Sequence, residues 1–271
     1  MLALQNDSLS VDILDPSADQ ERFGTRYCTA GYIYQIEDMK VGPVLSGPTY
    51  PDSFNTFDGQ GIPDAFNRGP LLNSDRQNPV ALVPGIGFCD LEADEVTEFA
   101  KWDVEQSDTE IRFRTHHSFE RYDFDLERSV SLNGRTVRSW TRINNGGKPQ
   151  IPVRWFPHPF YPQTDTDALC RVNIPVTFNK SDGYVTGPDG FIHRKGWPWQ
   201  TDHYLALDHS ASTNLVVLQR HPSLGLVSAI CSYAPALFPI WGNTRTFSFE
   251  PYFERTVSAG QAVEWSIDYG F

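Results

Sequence analysis

The stretch YDFDLERSVSL, from Tyr122 to Leu132, alternates between apolar and polar residues. Tyr122, Phe124, Leu126, Val130 and Leu132 share one parity, and the other parity carries acidic and serine side chains. Successive side chains of a strand point to opposite faces, so this pattern predicts a half-buried antiparallel strand. The same alternation recurs along the chain, which indicates further strands of this kind.

The neighbouring sequence extends the β pattern in both directions. EIRFRT, from Glu110, and VEWSIDY, from Val263, alternate in the same way, whereas LVVL and LVSAIC predict more deeply buried strands. LNGR, around Asn133-Gly134, predicts a hairpin with a type I′ turn. The one helix candidate is short, within LEADEVTEFAKW, residues 91–102. These patterns predict a mostly β fold of many antiparallel strands in stacked or curved sheets, as a single domain over residues 1–271.

Composition excludes several classes of partner. The chain has 22 basic and 34 acidic residues, a formal net charge of −12, and no run of Lys and Arg, which argues against nucleic acid and anionic membranes. It lacks an apolar stretch of about 18 residues, and its first residues do not resemble a signal peptide, so we expect a cytoplasmic protein. Four widely spaced cysteines predict free thiols without metal-ligand spacing.

The first candidate for chemistry is His158, in RWFPHPFYP, residues 154–162. Pro157 and Pro159 fix their own φ, lack N–H donors and restrain the residues before them, which predicts a strand end. Histidine titrates near neutral pH and exchanges protons in both directions. His158 is therefore either a packed core residue or a group that faces a cleft and transfers protons.

The second candidate is Glu250, in RTFSFEPYFE, residues 245–254. Thr246, Ser248 and Glu250 share the polar parity of a predicted strand, which Pro251 ends. Aromatic surroundings would disfavour the charged form of a carboxylate and make it a better proton acceptor near pH 7. The alternative is an ordinary surface glutamate beside a turn.

The third candidate is the stretch WPWQTDHYLALDHS, residues 197–210. Tryptophan faces stack on the apolar faces of sugar rings, and carboxylates accept hydrogen bonds from hydroxyls. Asp202, Trp199 and a further tryptophan, Trp241, are therefore candidate sugar-binding residues. The alternative is a loop with partly buried tryptophans and a capping aspartate.

Taken in order, these stretches resemble the aldose 1-epimerase (galactose mutarotase) family. LNGRTVRSWTRINNGGKPQIPVRWFPHPFYP is similar to a strand pair that leads to the family's His-x-aromatic motif, and TDHYLALD to its Asp-containing sugar-binding stretch. FSFEPYFERTVSAGQAVEWSIDY resembles the C-terminal Glu-Pro segment of the family. FDGQGIPDAFN resembles the Gly-Ile-Pro segment of the hexose-6-phosphate mutarotase branch. The resemblance covers roughly residues 57 to 271.

The resemblance implies a large antiparallel β-sandwich, the galactose mutarotase-like supersandwich, and an isomerase that interconverts sugar anomers by ring opening. It implies that Glu250 is the general base, that His158 is the general acid, and that Asp202 accepts hydrogen bonds from sugar hydroxyls. Asn67 and Arg68 resemble a family Asn-Arg pair that binds substrate. The expected ligand is a small carbohydrate, and no metal or cofactor is expected, because two positioned proton-transfer groups suffice.

The sequence also departs from the family pattern. In PGIGFCD, Ile86 stands where the family usually has a second histidine. Gly59 and Asp90 stand where the hexose-6-phosphate branch has arginines, which argues against a phosphorylated sugar. Two alternatives remain: a non-catalytic carbohydrate-binding protein on the same fold, and a glycoside hydrolase or lyase-like enzyme that pairs Asp202 with Glu250.

Overall fold

The computed structural model describes residues 1–47, 60–66, 71, 80–210 and 212–271. These residues form antiparallel strands and one 3-10 helix, Gln20–Arg22. The first strands are β1 (Leu2–Gln5), β2 (Leu9–Ile13), β3 (Ile33–Asp38), β4 (Gly42–Pro43), β5 (Asp64–Phe66), β6 (Val80–Val83), β7 (Gly87–Asp90), β8 (Glu95–Phe99), β9 (Asp103–Gln106), β10 (Glu110–Phe119), β11 (Tyr122–Asn133) and β12 (Thr136–Asn145). The others are β13 (Ile151–Pro157), β14 (Tyr161–Pro162), β15 (Ala168–Val172), β16 (Val176–Thr177), β17 (Tyr184–Thr186), β18 (Ile192–Arg194), β19 (His203–His209), β20 (Val216–His221), β21 (Gly225–Cys231), β22 (Phe238–Gly242), β23 (Thr246–Phe249), β24 (Phe253–Val257) and β25 (Ala262–Gly270).

The mostly β prediction is confirmed, and the opening stretch lies inside the largest sheet. That sheet has ten strands in the order β17-β18-β15-β20-β21-β25-β12-β11-β10-β9. On β11, Phe124, Leu126, Val130 and Leu132 are buried, as the alternation predicts. The remaining sheets are β1-β2-β3-β4, β24-β13-β5, β14-β23-β22-β19-β16 and β6-β7-β8.

An aromatic core joins the ten-stranded sheet to the sheet β24-β13-β5. Trp265 of β25 stacks on Phe253 of β24, with ring centroids 4.3 Å apart, and lies 5.6 Å from Trp155 of β13. Each of these rings is 3% exposed or less. Apolar faces of two sheets that bury one another form a sandwich, so the core holds the strands that carry His158 against the large sheet.

The predicted hairpin is present, but its turn lies one residue later than expected. Asn133 pairs with Thr136, so the two loop residues are Gly134 and Arg135. Gly134 has a φ of +56°, and Arg135 does not have a positive φ. Glycine at the first loop position is the pattern of a type II′ turn, so the expected type I′ turn at Asn133-Gly134 is wrong.

The helix candidate in residues 91–102 is also wrong. Its centre is strand β8, Glu95–Phe99, which pairs with β7. Asp94, just before β8, has a φ of +55°, a left-handed conformation that a helix does not contain. Pairing with β7 therefore overrides the weak helical spacing of the apolar residues, because local propensity is small beside tertiary pairing.

The cysteine prediction is confirmed, since all four cysteines are free and buried. Burial raises the pKa of the Cys170 and Cys231 thiols to about 12, so both stay protonated at neutral pH. In the described ranges, no helix has the length and apolar character needed to cross a membrane.

Candidate functional site

His158 lies directly after β13, as the two prolines predict. Its backbone N–H donates to the Pro63 carbonyl at 2.8 Å, and the Phe160 N–H donates to the Gly61 carbonyl at 2.8 Å. Pro157 pairs with Asp64 of β5. Residues 60–66 therefore hold the backbone on both sides of His158.

The backbone conformation and close packing at Gly61 explain why the Gly-Ile-Pro segment begins with glycine. Its φ is +65°, and a Cβ added there would lie 2.2 Å from the Ile33 carbonyl oxygen. A side chain at this position would collide with backbone, so only glycine lets residues 60–66 pack this closely. The glycine thus helps to position His158 from outside the site.

The His158 ring is enclosed by aromatic side chains. It stacks on Phe160 with centroids 4.2 Å apart and planes tilted by 22°. Trp241 and Tyr27 approach edge-on, at 5.7 Å and 6.3 Å. On the remaining side, Ser248 Oγ lies 3.1 Å from His158 Nδ1. His158 is only 2% exposed, so the ring has almost no contact with solvent.

Glu250 directly follows β23, and its carboxylate contacts the histidine. Glu250 Oε1 is 3.3 Å from His158 Nε2, although 92 residues separate the two in the chain. The sequence predicts Thr246, Ser248 and Glu250 on the polar face of a strand. The structure puts them on one face but buries all three, with Glu250 5% exposed. The polar side chains of this face are therefore enclosed by the protein and do not contact bulk solvent.

Burial sets the protonation of the His158–Glu250 pair. Burial raises the pKa of Glu250 to about 7, and the positive charge of Arg26 acts in the opposite direction. Burial lowers the pKa of His158 to about 3, and here Arg26 adds to the effect. At neutral pH the imidazole is therefore uncharged, while the carboxyl group is close to its midpoint.

Trp241 and Tyr204 continue the site along the sheet β14-β23-β22-β19-β16. Tyr204 of β19 pairs with Trp241, which pairs with Ser248 of β23. Directly opposed residues share a face, so these three side chains form a row that ends beside His158. Trp241 is a predicted residue, 8% exposed, and Tyr204 is 59% exposed. Tyr204 shares the parity of Asp202, a signal that could have identified it.

Asp202 lies on the same face but is distant from Glu250. Asp202 directly precedes β19. When the pairing of β19 with β22 and of β22 with β23 is extended by one residue, Asp202 lies opposite Asn243, and Asn243 lies opposite Thr246. Two strand spacings and four residues along the strand separate Asp202 from Glu250, so their Cα atoms are roughly 16 Å apart. The two carboxylates are not neighbours, which does not fit the paired-carboxylate alternative.

Trp199 does not present a ring to solvent, contrary to the sugar-platform prediction. It is 3% exposed, and its Nε1–H donates to the Lys195 carbonyl at 2.9 Å. Its ring packs against Tyr184 and His203, with centroids at 5.3 Å and 4.9 Å. The neighbouring Trp197 is the exposed one, at 38%. Nothing in the sequence WPW distinguishes the core tryptophan from the exposed one.

The other predicted positions contribute less. Asn67 and Arg68 lie outside the described residues, as does Gly59. Ile86 is fully buried in a small cluster of apolar side chains on β6 and β7. Within the described part of the chain, no group of three or more His, Cys, Asp or Glu side chains is arranged to hold a metal ion.

Arg26 is a site residue that the sequence did not reveal. Its guanidinium lies 5.4 Å from the ring centroid of Tyr27 and 5.9 Å from that of Phe156. It acts electrostatically on both His158 and Glu250. It precedes β3 in a segment without alternation, so no pattern links it to residues more than a hundred positions later.

Comparison with solved structures identifies the architecture. The galactose mutarotase related enzyme from Lactobacillus acidophilus matches with a TM-score of 0.67 and 11% identity, over 99% of this chain and 96% of that one. A galactose mutarotase-like protein from Lactobacillus casei matches with a TM-score of 0.59 and 13% identity, over 100% and 99%. The Slr1438 protein from Synechocystis sp. PCC 6803 gives 0.62 and 14%, over 99% and 94%.

These likenesses show that the chain has the galactose mutarotase-like β-sandwich fold. No protein-family model matches the sequence, and no curated protein matches it. At identities of 11–14%, the fold is what the comparison establishes. Any activity therefore has to be argued from the residues of the site itself.

Proposed function

We propose that the protein is an aldose 1-epimerase-like isomerase that interconverts the anomers of a sugar without a cofactor. The observation that carries this proposal is the contact between His158 and Glu250, 3.3 Å apart in a buried aromatic setting. Ring opening moves a proton from the anomeric hydroxyl oxygen, O1, to the ring oxygen, O5. Both oxygens are attached to the same carbon, C1, so a base and an acid that serve them must also be neighbours.

In this proposal, Glu250 takes the proton from O1 while the C1–O5 bond breaks and its electron pair goes to O5. His158 Nε2 receives a proton from Glu250 and delivers it to O5, and a carbonyl forms at C1. Rotation about C1–C2 and reversal of these steps close the ring as the other anomer. The pair gains one proton and releases one, so the site returns to its starting state. A carboxyl group with a pKa of about 7 suits a base at neutral pH.

Sugar binding is assigned to the row beside the pair. Trp241 and Tyr204 provide ring faces for the apolar side of a sugar, and Asp202 accepts hydrogen bonds from hydroxyls farther along the face. Trp199 has no part in this proposal, because it packs in the core.

A carbohydrate-binding protein without catalysis is the second candidate. One observation favours it: His158 and Glu250 contact each other directly and are 2% and 5% exposed. Buried ion-pair contacts also occur in structural networks that take no part in chemistry. A binding protein would use the same row of Trp241 and Tyr204 and would leave the two anomers at their uncatalysed exchange rate.

The test is anomer exchange measured by NMR on a panel of neutral aldoses. We expect wild type to accelerate exchange for at least one sugar. Glu250→Gln should lower kcat by about 100-fold or more with little change in sugar affinity, because the base acts in the transition state. His158→Gln should also lower kcat strongly. The matched controls, Glu264→Gln and His116→Gln, make the same changes at exposed positions on the ten-stranded sheet and should retain wild-type rates.

The two candidates give different results in this experiment. Sugar binding without accelerated exchange would support the carbohydrate-binding function and refute the isomerase function. Equal exchange rates in wild type, Glu250→Gln and His158→Gln would remove both residues from the chemistry.

A further inference from the structure

The His158 ring connects two side chains of one strand. Its Nε2 lies 3.3 Å from Glu250 Oε1, and its Nδ1 lies 3.1 Å from Ser248 Oγ. Ser248 precedes Glu250 by two residues on the same face of β23, and it is fully buried. The three groups therefore form a continuous line, with one proton-accepting or proton-donating atom at each step.

We propose that Ser248 is a positioning residue that lets His158 change tautomer as Glu250 gains or loses a proton, so that His158 and Glu250 form a proton relay while Nδ1 keeps a partner in both states. The catalytic part of this proposal rests on the proposed function. The tautomer change itself is a property of the free protein and stands independently of any sugar.

The chemistry of the serine hydroxyl supports this role. When Glu250 is ionised, it accepts a hydrogen bond from Nε2–H, and Nδ1 accepts one from the Ser248 hydroxyl. When Glu250 is protonated, its O–H donates to the Nε2 lone pair, and Nδ1–H donates to Ser248 Oγ. A hydroxyl both donates and accepts, so Nδ1 has a partner in each state while Nε2 faces Glu250. A buried ring nitrogen without a partner is unfavourable, so a residue without this freedom would fix one tautomer.

The relay also balances protons during ring opening. Starting from protonated Glu250, the O1 proton moves to Oε2 while the Oε1 proton moves to Nε2. The C1–O5 bond breaks and its electron pair goes to O5, which takes the proton from Nε2. The electron pair of the former O1–H bond forms the carbonyl between C1 and O1. Glu250 ends protonated and His158 neutral, as they began. Ser248 holds Nδ1–H throughout and neither gains nor loses a proton. The 3.3 Å contact has to tighten on sugar binding, as catalytic contacts commonly do.

Among the described ionisable groups near Glu250, Glu250 itself is the one that changes protonation near pH 7. Arg26, before β3, acts on both Glu250 and His158. The neighbouring tyrosines are Tyr184 of β17, Tyr204 of β19 and Tyr252, between β23 and β24. Burial raises the pKa of each phenol, that of Tyr252 to about 12, so all three stay protonated.

The direct test follows the tautomer of His158 in ligand-free protein by ¹⁵N NMR with labelled histidine, and His158→Gln assigns the signals. In wild type we expect the ring to change tautomer as pH crosses the Glu250 titration near 7. In Ser248→Ala the ring should stay protonated at Nε2 over the whole range, because a buried N–H without an acceptor is disfavoured more than a lone pair. The Glu250 midpoint should then move to lower pH. Thr246→Val is the matched control, since the Thr246 hydroxyl donates to the Tyr161 carbonyl and does not touch His158.

Kinetics provide the second readout. Ser248→Ala should lower kcat about tenfold, the value of one hydrogen bond, with KM within about twofold of wild type. Ser248→Thr keeps the hydroxyl and should restore the tautomer change and most of kcat. A tautomer change in wild type without anomer exchange on any sugar would support the relay and refute the proposed function. Exchange in wild type with an unaltered pH profile and tautomer titration in Ser248→Ala would overturn the relay and leave the proposed function standing.

Discussion

In the described part of the chain, two contacts between a basic side chain and a carboxylate are buried on both sides, and they differ in kind. Arg128 and Asp64 are 1% and 5% exposed, as buried as His158 and Glu250. Arg128 donates to both Asp64 oxygens and to the Ala30 carbonyl, so its charge is surrounded by acceptors. His158 and Glu250 are joined by a single contact of 3.3 Å between Nε2 and Oε1. Their pKa values are about 3 and about 7, so both groups change protonation within an accessible pH range.

The comparison teaches that burial alone does not identify a reactive pair. A guanidinium does not lose its proton in a protein, so Arg128 and Asp64 stabilise one arrangement of the chain. An imidazole and a carboxyl group with altered pKa values exchange a proton without large movement. The first pair also supports the second, because Asp64 adjoins Pro63, whose carbonyl accepts the His158 N–H.

The largest effect is expected when Arg128 is replaced. Arg128→Met should lower the free energy of unfolding by about 3–5 kcal/mol, because the Asp64 carboxylate would stay buried without a counter-charge. Urea unfolding of the variant and wild type at pH 7 measures this difference. Arg128→Met combined with Asp64→Leu should recover much of the loss, since apolar pairs often replace buried ion pairs at little cost.

Arg138→Met is the control for this prediction. Arg138 contacts Asp268 with two hydrogen bonds of 2.6 Å and 2.8 Å, but its side chain is 54% exposed. An exposed pair contributes about 0–1 kcal/mol. If Arg128→Met cost no more than Arg138→Met, the structural role of the buried ion pair would be wrong.

The second prediction separates the pH dependence of stability into its two parts. On folding, the pKa of Glu250 rises from 4.5 to about 7, so its protonation stabilises the fold below pH 4.5, and this stability is lost as pH rises to 7. The pKa of His158 falls from 6.5 to about 3, so stability is lost as pH falls through this range. Between pH 4.5 and 6.5 the two slopes, each about 1.4 kcal/mol per pH unit, oppose each other.

Single variants should reveal each slope. His158→Gln leaves the glutamate, so its free energy of unfolding should fall by about 3 kcal/mol from pH 4.5 to 7, relative to the double variant His158→Gln/Glu250→Gln at each pH. Glu250→Gln leaves the histidine, so its stability should rise over pH 4.5–6.5. Urea unfolding at intervals across this window measures both. Parallel curves for the two variants would mean that the pair carries no opposing proton linkage and resembles Arg128–Asp64 after all.

The sheets were predictable from the sequence because alternation is a local signal. YDFDLERSVSL encodes which face of β11 is buried without reference to its partners. The errors arose where partners decide the outcome. Residues 91–102 form β8 because β7 is there to pair with, and the hairpin turn lies at Gly134-Arg135 because the strand register places it there.

The candidate site was predictable in part, for the same reason. Two prolines predicted that His158 ends a strand, and parity placed Ser248 and Glu250 on one face. The sequence could not show that this face is buried, or that a segment before β3 brings Arg26 beside it. The contact between His158 and Glu250 depends on how β13 and β23 meet in three dimensions, which no local pattern specifies.

The smallest effect is expected at the exposed end of the site, where the comparison extends from proton transfer to binding. Tyr204 is 59% exposed and opposes Trp241 across the strand pair, so its ring offers a face for a sugar without touching the His158–Glu250 pair. Tyr204→Ala should raise KM about fivefold, roughly 1 kcal/mol of stacking, with kcat unchanged. Leu226→Ala, at a 41% exposed apolar position on β21, should leave both constants unchanged. A fall in kcat at constant KM in Tyr204→Ala would instead show that this phenol acts on the reacting atoms. The exposed end of the site would then take part in the chemistry together with the buried His158–Glu250 pair.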